Sequence, residues 1–162
     1  MNWATTGGSG SRVPSGQNAP GAHYPKEGAW AMYDQGRVLV VGGSKNTTPN
    51  ALDEGTGTST TTTYTVNLNG ATPVVAPATA MQYARQFPNA VILPNGEVMV
   101  IGGNTSGIKF SDTGAVLTPE IWNPTTGAWR AVANIAVPRA YHSLALLLPN
   151  GTVWSGGGGL SG

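Results

Sequence analysis

The 162-residue sequence contains no cysteine. That removes a disulfide framework, a thiolate metal site and a cysteine nucleophile from this stretch, and it leaves the redox compartment unreadable. Charge is also scarce. Eight basic and seven acidic residues give a net charge of +1, and no Lys/Arg cluster is present to neutralise a phosphate backbone, so nucleic acid is not an expected partner. No apolar run approaches the roughly 18 residues of a membrane span, which argues against a membrane partner too. Met1 to Gly10 lacks the basic start and apolar core of a secretory signal. Histidine is limited to His23, in a Gly/Pro-rich stretch, and His142.

Turn formers are abundant. Twenty-four Gly and 12 Pro make up more than a fifth of the chain, against roughly 12% in ordinary proteins. A hydrophobic content of 40% is too high for a disordered polar tail, so a folded chain rich in turns is expected. Sequons at Asn46, Asn104 and Asn150 are close to the number that the Asn, Ser and Thr content gives by chance.

An internal repeat with a period of 50–60 residues organises the chain. Tyr33-Asp-Gln-Gly-Arg-Val-Leu-Val-Val-Gly-Gly43, Leu93-Pro-Asn-Gly-Glu-Val-Met-Val-Ile-Gly-Gly103 and Leu148-Pro-Asn-Gly-Thr-Val-Trp-Ser-Gly-Gly157 share one pattern, with Gly pairs beginning at Gly42, Gly102 and Gly156. In each, an apolar strand runs into a turn where Pro fixes φ or Gly supplies a positive φ, and a β-branched strand returns. Pro119 to Trp122 and Trp129 to Val132 read as third and fourth strands, with Trp122 and Trp129 separated by six residues. Thr60 to Leu68 and Thr72 to Val75 are their counterparts in the first unit, where Tyr64 is the matching aromatic. The fold class expected is all-β, a kelch-type β-propeller fragment of about three four-stranded blade units. These span about residues 26–79, 80–134 and an incomplete 135–162, with 1–25 as a Gly/Ser/Pro-rich loop or a preceding blade. Thr5 to Pro25 and Ser44 to Ser59 read as loops. Three units cannot close a ring of four to eight blades, so the chain is expected to be a fragment of a longer protein.

Aligning the second and third units on arginine sets Arg85-Gln-Phe-Pro-Asn beside Arg139-Ala-Tyr-His-Ser, so that Tyr141-His142 replaces Phe87-Pro88 and one further residue precedes the Pro turn. Imidazole is a common copper or zinc ligand, and a tyrosinate oxygen can complete a copper site or act as a base. On chemistry alone the pair is either a repeat-derived structural feature or a pair of ligands.

The segment from Arg139 to Gly162, with Tyr141-His-Ser, a Leu-rich strand, a Pro turn and Gly156-Gly-Gly-Gly-Leu160, resembles the copper-binding stretch of the galactose oxidase and glyoxal oxidase family. Met1-Asn-Trp3, Ala31-Met-Tyr-Asp34, Met81-Gln-Tyr-Ala-Arg85 and Thr118-Pro-Glu-Ile121 are similar to family blocks in the same order. The resemblance implies a copper-radical oxidase built on a seven-bladed kelch propeller, which oxidises a primary alcohol, aldehyde or sugar with O2 and releases hydrogen peroxide. It implies that His142 is an equatorial copper ligand, that Tyr141 is the axial ligand and catalytic base, and that Phe110 lines the substrate pocket. A packed loop aromatic is the equal alternative for Phe110.

Lys109 departs from the family's Pro, Pro88 from a His, and Ser161 from a Cys. The Tyr-Cys radical cofactor and the last His ligand are expected outside this chain, as are the remaining blades and a C-terminal domain. The fragment alone is expected to be inactive and to bind copper weakly, and the parent to be secreted. The rival reading is a non-catalytic kelch module that binds carbohydrate or protein through its loops.

Overall fold

The computed structural model describes residues 2–5, 11–14, 26–44 and 58–158. Among these there is no helix, and the architecture is all-β with antiparallel pairing throughout. β1 (Asn2–Thr5) pairs with β2 (Ser11–Pro14). The first four-stranded sheet is a meander of β3 (Ala29–Asp34), β4 (Arg37–Val41), β5 (Thr63–Asn67) and β6 (Val74–Ala78). A second sheet repeats it with β7 (Asn89–Ile92), β8 (Val98–Ile101), β9 (Glu120–Trp122) and β10 (Trp129–Ala131). A third hairpin joins β11 (Ser143–Leu147) to β12 (Val153–Gly157).

The first two sheets share a core. Ala29, Ala31, Leu39 and Val41 of the first meet Val98, Val100 and Trp122 of the second, with Met81 from the connecting segment sealing the layer. Small residues on β3 and larger ones on the facing strands let the two sheets pack face to face. β7 lies beside both β3 and β11, so the first strands of the three repeats are consecutive neighbours, and Asn89 Nδ2 donates to Ser143 Oγ at 2.9 Å.

The first two Gly pairs are where each repeat docks the backbone of the next. Gly43 N–H donates to Arg85 O at 2.9 Å and Gly103 N–H to Arg139 O at 2.6 Å. A Cβ on Gly42 would lie 2.5 Å from Arg85 O, and one on Gly102 would lie 2.2 Å from Arg139 O. Both glycines also have positive φ, so no other residue fits.

Three expectations are corrected. The stretch from Thr5 to Pro25 is not all loop, since Ser11–Pro14 forms β2; a four-residue strand is hidden when composition is averaged over a longer segment. The third Gly pair is Gly157-Gly158 rather than Gly156-Gly157. Gly157 and Gly158 have φ of 75° and 78°, matching 74° and 85° at Gly102 and Gly103, and Gly156 pairs with Leu144 inside the hairpin. Tyr64 does not match Trp122. It opposes Val40, where Glu120 opposes Val100, and Val66 holds the Trp122 position opposite Val38. The segment 45–57, most of the second expected loop, lies outside the described residues, as do His23 and Ser161.

Candidate active site

The first strand of each repeat is preceded by a residue in the left-handed region: Glu27 (φ 63°), Phe87 (φ 60°) and His142 (φ 66°). Such backbone is uncommon for side chains other than Asn, Asp and His, so its recurrence marks equivalent positions. His142 therefore stands where the second repeat has Phe87, not Pro88, which corrects the alignment read from sequence. Arg85 and Arg139 remain equivalent, because each donates to the first Gly carbonyl of its own repeat, Gly102 O at 3.0 Å and Gly157 O at 2.8 Å. One residue, Gln86, separates Arg85 from Phe87; two, Ala140 and Tyr141, separate Arg139 from His142. The extra residue precedes the left-handed position, and the run from Phe87 to Pro94 matches that from His142 to Pro149 in length.

That insertion changes the local geometry. Gln86 is buried, its backbone exchanges two hydrogen bonds with Asn104, and its amide donates to Ser59 Oγ. In the third repeat a β-turn forms instead, with Ser143 N–H donating to Ala140 O at 2.9 Å and Tyr141 and His142 in the central positions. A positive φ at the third turn residue is what a type II turn requires. The turn stacks the two rings, with centroids 3.9 Å apart and planes at 25°. Tyr141 is half-buried and His142 exposed.

Phe110 joins them. Its ring meets Tyr141 edge-on at 4.9 Å and 89°, and His142 at 5.5 Å and 83°. It is carried by a loop whose anchor is Asn104, fully buried, which accepts from Gly107 N–H and donates to Ile108 O. Both side-chain groups of Asn104 are thus occupied, so this sequon is unavailable to modification in the folded chain. Phe110 has φ of 53° and is 49% exposed, so the loop holds a strained aromatic at the surface beside the ring pair. Phe87 closes another side, with its ring 5.2 Å from Tyr141 at 70°.

Sequence reasoning did not assign two further residues. Lys109 Nζ sits 4.9 Å from the centroid of the Tyr141 ring and 3.7 Å from Glu27 Oε1. Lys109 stood out only as a departure beside Phe110, and Glu27, on a different repeat, carried no motif. The repeated left-handed position was the hidden signal.

The pair offers one phenol oxygen and one imidazole, a donor combination suited to a borderline or oxidisable transition metal such as copper. The exposed imidazole leaves an approach for an ion. Among the described residues no three His, Asp or Glu side chains gather into a metal-binding group. The donor chemistry of Tyr141 and His142 thus fits part of a copper site.

Residues 24–160 match the family model described as the glyoxal oxidase N-terminus. A galactose oxidase of Gibberella zeae is 35% identical over 168 residues, covering all of this chain and 24% of that protein. An aldehyde oxidase of Arabidopsis thaliana is 35% identical over 97 residues, 57% of this chain and 16% of that one. A solved fungal alcohol oxidase of the AA5 family, in complex with copper, superposes with a TM-score of 0.89 at 37% identity, over 100% of this chain and 33% of its own. The chain therefore spans about a quarter to a third of the length of relatives that it matches from end to end. It belongs to the glyoxal oxidase N-terminus family of galactose and glyoxal oxidase relatives.

Proposed function

We propose that this chain is the copper-ligand portion of a copper-radical oxidase that converts a primary alcohol, aldehyde or sugar with O2 into the oxidised product and hydrogen peroxide. The observation that carries the reading is the Tyr141–His142 stack with Phe110 set edge-on against both rings. In this reading the three repeats are consecutive blades of a kelch propeller, at about residues 26–79, 80–134 and 135–162. The remaining blades, the radical Tyr-Cys pair and the last His ligand belong to the rest of the protein, which is exported.

His142 and Tyr141 would hold the metal, which lowers the pKa of a bound hydroxyl and exchanges electrons. The other roles belong to this chain's side chains. The Tyr141 oxygen, as phenolate, takes the hydroxyl proton of the substrate and is the catalytic base. Phe110, half exposed beside the ring pair, gives the carbon end of the substrate an apolar wall and keeps water from it. His142 orients the phenol through the ring stack.

The experiment is peroxide release from alcohols and aldehydes by the native polypeptide that carries this sequence, compared with Tyr141→Phe and His142→Ala. Loss of at least about a hundredfold in kcat for both variants supports the reading, the scale of removing a positioned base. Wild-type protein that consumes no O2 with any alcohol or aldehyde, while binding oligosaccharide or protein, moves the assignment to a non-catalytic binding module.

A further inference from the structure

The three equivalent left-handed residues share more than backbone conformation, because their side chains converge on one ring. His142 stacks on Tyr141, Phe87 meets its edge, and Glu27 reaches it through Lys109. Lys109 belongs to the Phe110 loop of the second repeat and Glu27 to the first, so the contact links three repeats. The Lys109 and Glu27 side chains are only 16% and 26% exposed. An ammonium so far removed from water needs both an anionic partner and a polarisable face, and a cation over an aromatic ring gains strength as it is desolvated.

We propose that Lys109, anchored by Glu27, is a positioning residue that holds the Tyr141 ring stacked on His142. Phe87 and Phe110 meet the Tyr141 ring edge-on, so its π system is held by His142 and Lys109. Lys109 restrains the ring through its π face, which leaves the phenol oxygen available. The same residue orders the loop that presents Phe110. The kinetic consequence rests on the oxidase reading above; the orientation of the ring does not.

The test uses the native polypeptide and its Lys109→Met, Lys109→Arg, Glu27→Gln and Lys109→Met/Glu27→Gln variants. In metal-free protein labelled at tyrosine, the NMR ring signal of Tyr141, identified by its disappearance in Tyr141→Phe, reports the stacking on His142. Lys109→Met is expected to move that signal toward its unstacked position and to lower kcat about tenfold with KM changed less than about twofold. Lys109→Arg, which also lies well on a ring face, is expected to retain the signal and at least about half of the turnover. Glu27→Gln shifts both in the same direction by less, and the double variant falls no further than Lys109→Met.

An unmoved Tyr141 signal in Lys109→Met, equal losses in Met and Arg, or additive losses from Lys109 and Glu27 would overturn the proposal. If Lys109→Met does not fold, Glu27→Gln decides, and an unchanged Tyr141 signal there overturns it. A wild-type protein without oxidase activity would defeat the oxidase reading while the NMR comparison still decides the positioning role.

Discussion

The second and third repeats have the same hairpin, the same Gly pair and the same arginine, yet they do different things with the segment between arginine and strand. In the second, Arg85 is fully buried, donates to Gly102 O and Thr118 O, and binds Glu120 at 2.6 Å, while Glu120 also accepts from Gln82 and Tyr83 N–H. Burial pushes the Arg85 guanidinium down and the Glu120 charge pushes it back. Gln86 then commits its polar groups to structure. In the third, Arg139 keeps an exposed bond to Gly157 O, and the one extra residue releases Tyr141 and His142 into the centre of a β-turn. One added residue converts a buried structural segment into a partly exposed Tyr-His turn, because its neighbours are already fixed.

The contrast between the arginines is expected to give the largest effect. Glu120→Ala strands a buried guanidinium and should cost about 3–5 kcal/mol in chemical denaturation, whereas Arg139→Ala should cost about 1 kcal/mol or less. Similar losses at both positions would show that the burial difference has no energetic meaning. Next come the glycines. Gly102→Ala collides with Arg139 O at an unfavourable φ and should cost about 2–4 kcal/mol. Gly96→Ala, with φ of 82° but nothing within 4 Å, should cost about 1–2 kcal/mol. The ratio separates docking between repeats from turn strain.

Reverting the third repeat to the second sharpens the comparison at the site itself. Deleting Tyr141 while making His142→Phe restores the shorter spacing, and should change stability by only about 1 kcal/mol while removing metal binding. Loss of folding instead would make the Tyr-His turn structural.

The smallest effect is a change in pH dependence that is confined to acid. Glu97 follows the turn glycine of the second repeat, where the first and third have Arg37 and Thr152. Arg130 grips both its oxygens at 2.6 Å, and with Asn95 and Asn123 it holds the Glu97 carboxyl down at about 2, from an ordinary value of 4.5. The unfolded chain binds the proton first, so this contribution is complete above about pH 4.5 and is lost as pH falls through about 2. Glu97→Gln should therefore flatten the acid limb of the stability profile and leave the neutral region nearly parallel to wild type.

Much of this was legible in the sequence. The Gly pairs and Pro-Asn-Gly turns located β7, β8, β11 and β12 to within a residue or two, because those residues are demanded by φ. Trp122 and Trp129 located β9 and β10, and they oppose each other directly. The register was less legible. A run of four glycines from Gly156 to Gly159 does not say which two correspond to Gly102-Gly103; the Arg139 bond to Gly157 O does. Tyr64 drew an aromatic match away from Val66, since identity of residue type is a weaker guide than position across the ladder. The resemblance named Tyr141, His142 and Phe110 as expected site residues, and their three rings are in contact. Glu27 and Lys109 were given no role because they reach the ring cluster across repeat boundaries, Glu27 through Lys109, and no local spacing encodes that.

The account turns on His142 being a ligand rather than a substituted core phenylalanine. The direct measurement is a Cu(II) titration of the native polypeptide and of His142→Phe, with folding verified for both. The account predicts at least about tenfold weaker binding in the variant with its stability retained, on the scale of removing one metal-site partner. Equal copper affinity in the two proteins would contradict it and return Tyr141-His142 to a structural feature of the third repeat.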